Sequence, residues 1–199
     1  QVCTSPTRFF VQEKIYEDFV KAFAEKARST VVGNGLDAAT QMGPLANHRR
    51  IEAMEALVAD ARAKGARVMA GGERLGNRGY FFPVTVLADL PGYARAMYEE
   101  PFGPMALINP VSSLDEAIEK ANALPFGLAA YGFTHSAANA DRLAEGIEAG
   151  TVSINTLEAS VPATPFGGVK ESGYGRERGI EGLTHYMTVK NVSHRMSIA

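Results

Sequence analysis

Residues 8–27 have the sequence RFFVQEKIYEDFVKAFAEKA, in which a short apolar run leads directly into apolar residues at helical spacing. The run from Arg8 to Val11 predicts a buried strand. A helix is predicted after it, from the spacing of Ile15, Phe19, Val20, Phe23 and Ala27. Strand-like and helix-like segments alternate again further along the chain. This alternation predicts an α/β fold with a largely parallel sheet.

A second helix and a hairpin are predicted downstream. The apolar stripe of this helix consists of Ile51, Met54, Leu57, Val58 and Ala61. Gly65 ends the helix, and residues 66–70 and 80–87 follow as two strands. The glycine-rich residues 71–79 between them lack the Lys-Ser/Thr ending of a P-loop, so they are interpreted as a hairpin connection.

The remaining segments continue the alternation. Ser113 and Glu116 form a capping box that opens a helix to about Ala123. Further strands are predicted at residues 105–108, 128–134 and 151–155, and a helix at residues 139–148. Residues 188–195 alternate apolar and polar side chains, which predicts a half-exposed strand that needs partner strands.

Composition excludes several classes of function. The chain has 199 residues, of which 46% are hydrophobic and 21% charged, and this is enough for one sizeable core. No apolar run approaches the roughly 20 residues needed to span a bilayer, so we expect a soluble protein without a membrane partner. The net charge of -2 gives no basic patch for nucleic acid. One cysteine and four scattered histidines predict neither a disulfide framework nor a metal site, and they favour a cytoplasmic protein.

Cys3 is the only cysteine and lies just before the first predicted strand. A thiolate attacks carbonyl carbon well, which makes Cys3 the candidate nucleophile. The alternative is an inert, buried cysteine, which is the more common situation for a single cysteine.

Three stretches together suggest a family. They are Gln1-Val2-Cys3, Glu99-Glu100-Pro101-Phe102-Gly103-Pro104, and Pro165-Phe166-Gly167-Gly168-Val169-Lys170-Glu171-Ser172-Gly173. In this order they resemble the aldehyde dehydrogenase superfamily, whose corresponding segments carry the catalytic cysteine, meet the nicotinamide cofactor and close the aldehyde tunnel. The resemblance runs through almost the whole chain, and semialdehyde dehydrogenases are the members it suggests.

The resemblance implies a three-layer aldehyde dehydrogenase catalytic-domain fold with a largely parallel sheet. Residues 1–183 would form this domain, and residues 184–199 a C-terminal strand of the oligomerisation sheet in a homodimer or homotetramer. The family's N-terminal cofactor-binding domain has no counterpart in the chain. Since residue 1 is also not a methionine, we expect a fragment whose partner is its own missing domain.

The resemblance also implies roles for individual residues. Cys3 would be the catalytic nucleophile, and Glu100 and Phe102 would contact NAD or NADP, Glu100 through the ribose hydroxyls. Glu99 would be structural. The residues that would contact the aldehyde are Val2, Thr4, Asn155, Thr156, Leu157, Ser160 and Phe166, with Glu158 as a further candidate in the same loop.

The segment after the third stretch carries two further expectations. Residues 173–179 are one residue too long for a dinucleotide fingerprint and are rejected as a cofactor site. Arg176 and Glu177 are interpreted as a structural ion pair or a helix start. By the resemblance, Lys170 and Glu177 could support the water route or a subunit contact.

The implied function is NAD(P)-dependent oxidation of an aldehyde or semialdehyde to a carboxylic acid, through a thiohemiacetal and a thioester on Cys3. The oxyanion would be held by the Cys3 backbone N–H and by an asparagine outside the chain, and the glutamate base would lie upstream too. A CoA-acylating relative is one alternative. The other is a non-catalytic folding or oligomerisation module, and by itself the chain is expected to be inactive.

Overall fold

A computed structural model describes residues 2–196. Gln1 and residues 197–199, the outer ends of the predicted ranges 1–183 and 184–199, lie outside the described residues. The elements in chain order are β1 (Arg8–Gln12), α1 (Tyr16–Ser29), α2 (His48–Ala63), β2 (Arg67–Ala70), β3 (Thr85–Ala88), β4 (Met105–Val111), α3 (Leu114–Asn122), β5 (Phe126–Gly127), β6 (Ala129–Gly132), α4 (Ala137–Gly146), β7 (Thr151–Ile154), β8 (Val169–Lys170) and α5 (Gly179–Thr184).

The main sheet has the strand order β1-β4-β3-β2. The pairs β1/β4 and β3/β4 are parallel, with Arg8 opposite Leu107 and Thr85 opposite Met105. The edge strand β2 is antiparallel to β3, as the predicted hairpin requires. Elsewhere β6 and β7 form a parallel pair, and β5 and β8 an antiparallel one. The predicted α/β fold with a largely parallel sheet is confirmed.

Helices cover both faces of this sheet. α1 packs Val20 and Ala24 against Ile108 and Val86 on one face. On the other face α2 packs the predicted stripe, Ile51, Met54, Leu57, Val58 and Ala61, all of it buried, against strand residues such as Leu87 and Leu107. The two apolar layers on either side of the strands make this a three-layer arrangement.

Local signals position two helix ends. Gly65, just beyond α2, has φ +90°, a conformation that glycine adopts without steric cost. At the start of α3 the Ser113 Oγ accepts a hydrogen bond from the Glu116 N–H (3.2 Å). Glu116 Oε2 in turn accepts from the Ser112 N–H at 2.8 Å, so the reciprocal bond reaches one residue further back than the predicted capping box.

One predicted strand is shorter than expected, and one predicted helix is shifted towards the N-terminus and spans Ala137–Gly146. Within residues 80–87 only Thr85 onward is a strand, because the Tyr80 and Phe81 carbonyls bond to loop residues and Pro83 has no N–H to donate. The helix predicted over residues 139–148 ends at Gly146, beyond which the side chain of Asn122 accepts from the Glu148 N–H (2.9 Å).

The strand predicted at residues 188–195 is not formed. Residues 188–196 are irregular and exposed, because none of the strands within residues 2–196 lies alongside to accept and donate the ladder hydrogen bonds. Within residues 2–196, none of the helices is both long and apolar enough to cross a bilayer.

Candidate active site

Cys3 lies in a tight turn just before β1. The turn is closed by the Ser5 N–H, which donates to the Val2 carbonyl at 2.9 Å. The Tyr131 hydroxyl of β6 donates to the Thr4 carbonyl at 2.7 Å and so ties the turn to a second strand. The Cys3 thiol is free and exposed. The thiol of this candidate nucleophile is therefore accessible, while its turn is anchored at two points.

The turn opens onto a cleft of about 690 Å³ between β1 and β6. Four of the predicted site residues line it, namely Cys3, Thr4, Glu100 and Leu157. Most of its lining residues are apolar and come from the two strands and from neighbouring loops and helices, and Ser172 also lines it. The cleft thus combines one thiol and the carboxylates of Glu99, Glu100 and Glu148 with a largely apolar lining, which is a common composition for a small-molecule site.

The two neighbouring glutamates of the cleft have different surroundings. Glu99 Oε1 and Oε2 accept from Arg95 Nε (2.7 Å) and Nη2 (2.9 Å), and this two-pronged contact lowers the pKa of Glu99. Glu100 is exposed, and none of the ion pairs within residues 2–196 includes it. Glu99 therefore holds the loop to its own preceding turn, while the Glu100 carboxylate is available to a ligand.

The loop that carries Glu100 is held by α2. Arg50 Nη1 donates to the Pro101 carbonyl at 3.2 Å. Phe102 has φ 46°, which is unusual for a bulky residue, and its ring is 42% exposed. A Cβ on Gly103 would lie 2.4 Å from the Met54 Sδ, so only glycine lets the loop pack this closely on the helix.

The loop after β7 uses most of its polar groups internally. The Asn155 side chain accepts from the Thr134 N–H and donates to the Thr134 carbonyl, both at 2.9 Å. Thr156 Oγ1 accepts from the Glu158 N–H (3.1 Å). Ser160 Oγ is buried without a hydrogen-bond partner among the described residues. Asn155 therefore clamps the ends of β6 and β7 together, with one donor and one acceptor position of its amide bonded to Thr134.

We call residues 165–173 the strap. Phe166 pairs with Glu177 through two backbone hydrogen bonds of 2.8 and 2.7 Å. Arg176 Nη1 donates to the Gly168 carbonyl at 2.7 Å. The ion pair predicted between Arg176 and Glu177 is not present, because Arg176 is engaged by carbonyls. A Cβ on Gly150 would lie 1.7 Å from the Gly167 carbonyl oxygen, so the strap passes directly over the start of β7.

Known proteins resemble this chain along almost its whole length. The sequence pattern of the Aldehyde dehydrogenase family matches residues 1–192. The chain belongs to the aldehyde dehydrogenase family. It is 48% identical over 190 residues to a putative 4-(hydroxymethyl)benzenesulfonate dehydrogenase of Comamonas testosteroni, covering 96% of this chain and 39% of the relative. It is 41% identical to a probable succinate-semialdehyde dehydrogenase [NADP(+)] of Sinorhizobium fredii, with the same coverage of both.

Solved aldehyde dehydrogenase structures share the fold. The NAD+ complex of the Bacillus cereus enzyme superposes with a TM-score of 0.95 at 38% identity, covering 99% of this chain and 40% of that one. The chain thus spans about two fifths of the length of the aldehyde dehydrogenases that it matches.

Not all predicted residues of this aldehyde dehydrogenase chain meet at the cleft. Those that do not line it are Val2, Phe102, Asn155, Thr156, Glu158, Ser160 and Phe166, and their ligand contacts stay predictions. Tyr131 and Ser172 line the cleft but were missed by the sequence reasoning. Tyr131 lies on a predicted strand beside no recognisable motif, whereas Ser172 is part of the quoted third stretch and could have been found there.

Proposed function

We propose that the chain supplies the nucleophile and half of the substrate pocket of an NAD(P)-dependent aldehyde dehydrogenase that oxidises an aldehyde or semialdehyde to a carboxylic acid. The observation that carries the proposal is the exposed, free Cys3 thiol in an anchored turn at the cleft that Glu100 also lines. Family membership and relatives named as aldehyde and semialdehyde dehydrogenases support the choice of reaction.

In the proposed reaction the Cys3 thiolate attacks the aldehyde carbonyl carbon. A C–S bond forms, the carbonyl π electrons move to oxygen, and the backbone N–H of Cys3 donates to the resulting oxyanion. Loss of hydride from the same carbon gives a thioester. Water then adds, the C–S bond breaks, and the carboxylic acid leaves as the thiol is restored. Thr4 and Leu157, which line the cleft, would contact the remainder of the aldehyde.

NAD(P)+ supplies the hydride acceptor when it is bound. Within this chain Glu100 would hold it, because a carboxylate accepts hydrogen bonds from two vicinal ribose hydroxyls. The residues fit this task, since the Glu100 carboxylate is exposed at the cleft while the adjacent Glu99 is occupied by Arg95. A fixed ribose orients the nicotinamide, so Glu100→Gln is expected to slow the oxidation more than it weakens cofactor binding.

The proposal is tested with the longest polypeptide that the gene encodes, because the relatives are about two and a half times as long as the chain. NAD(P)H formation is measured with a panel of aldehydes for the unmodified protein, Cys3→Ala and Glu100→Gln. We expect Cys3→Ala to abolish turnover while cofactor binding persists, since only the covalent step is removed. Near-normal turnover of Cys3→Ala would exclude Cys3 as the nucleophile.

Two additions sharpen this experiment. Glu145→Gln, at an exposed glutamate of α4, is the control for Glu100→Gln, and it should retain the single-turnover rate that Glu100→Gln loses. Product analysis with and without CoA distinguishes hydrolysis from acyl transfer. Formation of an acyl-CoA in place of the acid would replace the proposed function by that of a CoA-acylating dehydrogenase.

We propose further that residues 1–183 form the catalytic domain and that residues 184–199 pair with strands outside this chain in an oligomer. Support comes from the exposure of apolar side chains in the described part of the tail, including Tyr186 (91%) and Val192 (75%). Light scattering of the longest polypeptide, with and without residues 184–199, tests it. An unchanged oligomer after truncation would refute the role of the tail.

A further inference from the structure

The C-terminal turn of α3 receives cations from two distant parts of the chain. A helix leaves its last carbonyls without partners inside the helix. Here Arg8 Nη1 donates to the Lys120 carbonyl (2.9 Å) and Arg8 Nη2 to the Ala121 carbonyl (3.0 Å). Lys170 Nζ donates to the carbonyls of Asn122 (3.1 Å) and Leu124 (3.2 Å). We call residues 120–124 the anchor turn.

Arg8 links the anchor turn to the cysteine. It is the first residue of β1 and follows the Cys3 turn by a few residues. Its guanidinium is half-buried, lies 5.5 Å from the centre of the Phe10 ring, and has neutral carbonyls as its hydrogen-bond acceptors. The negative end of the α3 dipole compensates such a charge only while both carbonyls stay in place. The position of Arg8 is therefore coupled to the anchor turn.

Lys170 links the same turn to the strap. Its backbone has φ 54°, a conformation that a lysine adopts only where surrounding contacts enforce it. Those contacts are the two anchor-turn carbonyls and an ion pair with Glu148. Beside it the Glu171 N–H donates to the Pro125 carbonyl at 2.9 Å. The strap is thus fastened to the residues that end α3 and begin β5.

We propose that the anchor turn sets the position of the strap relative to Cys3, and that Arg8 and Lys170 are positioning residues for the oxidation at Cys3. The inference rests on the proposed function, because the cleft lined by Cys3, Arg8 and Ser172 is taken as the site of that reaction. Two cations on consecutive carbonyls of one turn cannot move independently. Loosening one of them displaces the turn and with it the other.

Hydrogen exchange tests the coupling without any need for enzyme activity. Arg8→Met removes both guanidinium bonds, and Arg8→Lys keeps the charge with a single donor group and serves if Arg8→Met does not fold. We expect the amides of Glu171 and Ser172 to exchange about 10-fold faster in either variant, although neither amide touches Arg8. Lys21→Met, at an exposed lysine of α1, is the matched control and should leave this exchange unchanged. Unchanged strap exchange in a folded Arg8 variant would overturn the proposal.

Kinetics tests the positioning role. Lys170→Met is expected to lower kcat about 10-fold through misplacement of the strap, with less change in the KM for NAD(P), and Lys170→Arg should restore most of the loss. Because both residues act through one turn, the fold-decrease in kcat of the Arg8→Lys/Lys170→Met double variant should be much smaller than the product of the fold-decreases of the two single variants. Multiplicative losses, or a lowered Tm with unchanged kcat, would refute the role.

Failure of the proposed function gives a different pattern. If the unmodified protein does not oxidise aldehydes, the proposed function is refuted and the kinetic test cannot be applied. The exchange measurement still decides whether the anchor turn couples Arg8 to the strap.

Discussion

The hydroxyl of Tyr16 joins the first helix to the end of β3 and offers a quantitative test of the packing. It lies 2.6 Å from Asp89 Oδ1 and 3.0 Å from the Ile108 carbonyl, and it accepts from the Asp89 N–H at 3.2 Å. Asp89 has φ 57° and is also held by Arg67. Tyr16 is 6% exposed, so water does not replace these bonds. The substitution Tyr16→Phe removes them without changing the shape of the ring.

The expected cost at pH 7 follows from the partners that remain. The Asp89 N–H keeps the Ile108 carbonyl as an acceptor (3.2 Å), and the Asp89 carboxylate keeps Arg67. The net loss is one hydrogen bond to a charged group. Its contribution to stability is at the lower end of the usual range for such bonds, because the Asp89 side chain is 40% exposed. We expect Tyr16→Phe to lower the free energy of unfolding by about 1.5 kcal/mol.

The same contacts predict that the stability of the fold depends on pH in the alkaline range. Burial, followed by the hydrogen bond to Asp89, raises the pKa of Tyr16 from 10.0 to about 12. The unfolded state ionises first, so the stability from this group is fully present below pH 10 and is lost as the pH rises towards 12. In this window each pH unit lowers the free energy of unfolding of the unmodified protein by about 1.4 kcal/mol. Tyr16→Phe lacks the titrating hydroxyl and does not lose this amount. The difference in free energy of unfolding between the unmodified protein and Tyr16→Phe should therefore reach zero near pH 11.

Urea unfolding at pH 7 and between pH 9 and 11.5 measures both effects. The control is Tyr174→Phe at a fully exposed tyrosine, which should match the unmodified protein at every pH. A Tyr16→Phe variant that is equally stable at pH 7, or whose deficit stays constant up to pH 11.5, would refute the reasoning.

Two further predictions concern the core and acid stability. Met54→Ala should lower the free energy of unfolding by about 3 kcal/mol in urea, because Met54 is fully buried, whereas Met187→Ala at an exposed methionine should cost under about 0.5 kcal/mol. Equal losses in the two variants would contradict the assigned core. The hydrogen bonds from Lys120 and then from Ser112 lower the pKa of Glu116 from 4.5 to about 2, so Glu116 stabilises the fold above pH 4.5 and this contribution disappears towards pH 2. Between pH 4.5 and pH 2, the Tm of Glu116→Gln should fall less than the Tm of the unmodified protein. An identical fall in the two proteins would argue against this role of Glu116.

The sequence predicted the elements whose signal is local. The stripe from Ile51 to Ala61 repeats at helical spacing, and every member is buried in the structure. Gly65 ends that helix as expected, since its positive φ is a property of a single residue. Residues 80–84 were wrongly extended into a strand because their apolar side chains look the same whether the backbone pairs with a strand or with a loop.

The candidate residues of the site could be named from the sequence, but their contacts with the rest of the fold could not. Cys3 and Glu100 stand out by residue type and motif, whereas the contact of Arg8 with Lys120 joins residues 112 positions apart. Sequence spacing carries no information on such a contact. Likewise, nothing in the neighbours of Asn155 shows that its amide bonds to Thr134, and its contact with a substrate stays a prediction.

The pairing of β1 with β4 has a consequence for synthesis of the protein. Arg8 faces Leu107, so β1 must wait on the ribosome for a partner strand that is encoded about 100 residues later. At a translation rate of about 5–20 residues per second this delay is about 5–20 s. During that time Phe9 and Phe10 belong to a nascent strand with an open edge, while β2, β3 and α2 are still being made. We expect the newborn chain to be most vulnerable to aggregation in this interval, and slower decoding of codons 12–105 to lower its soluble yield.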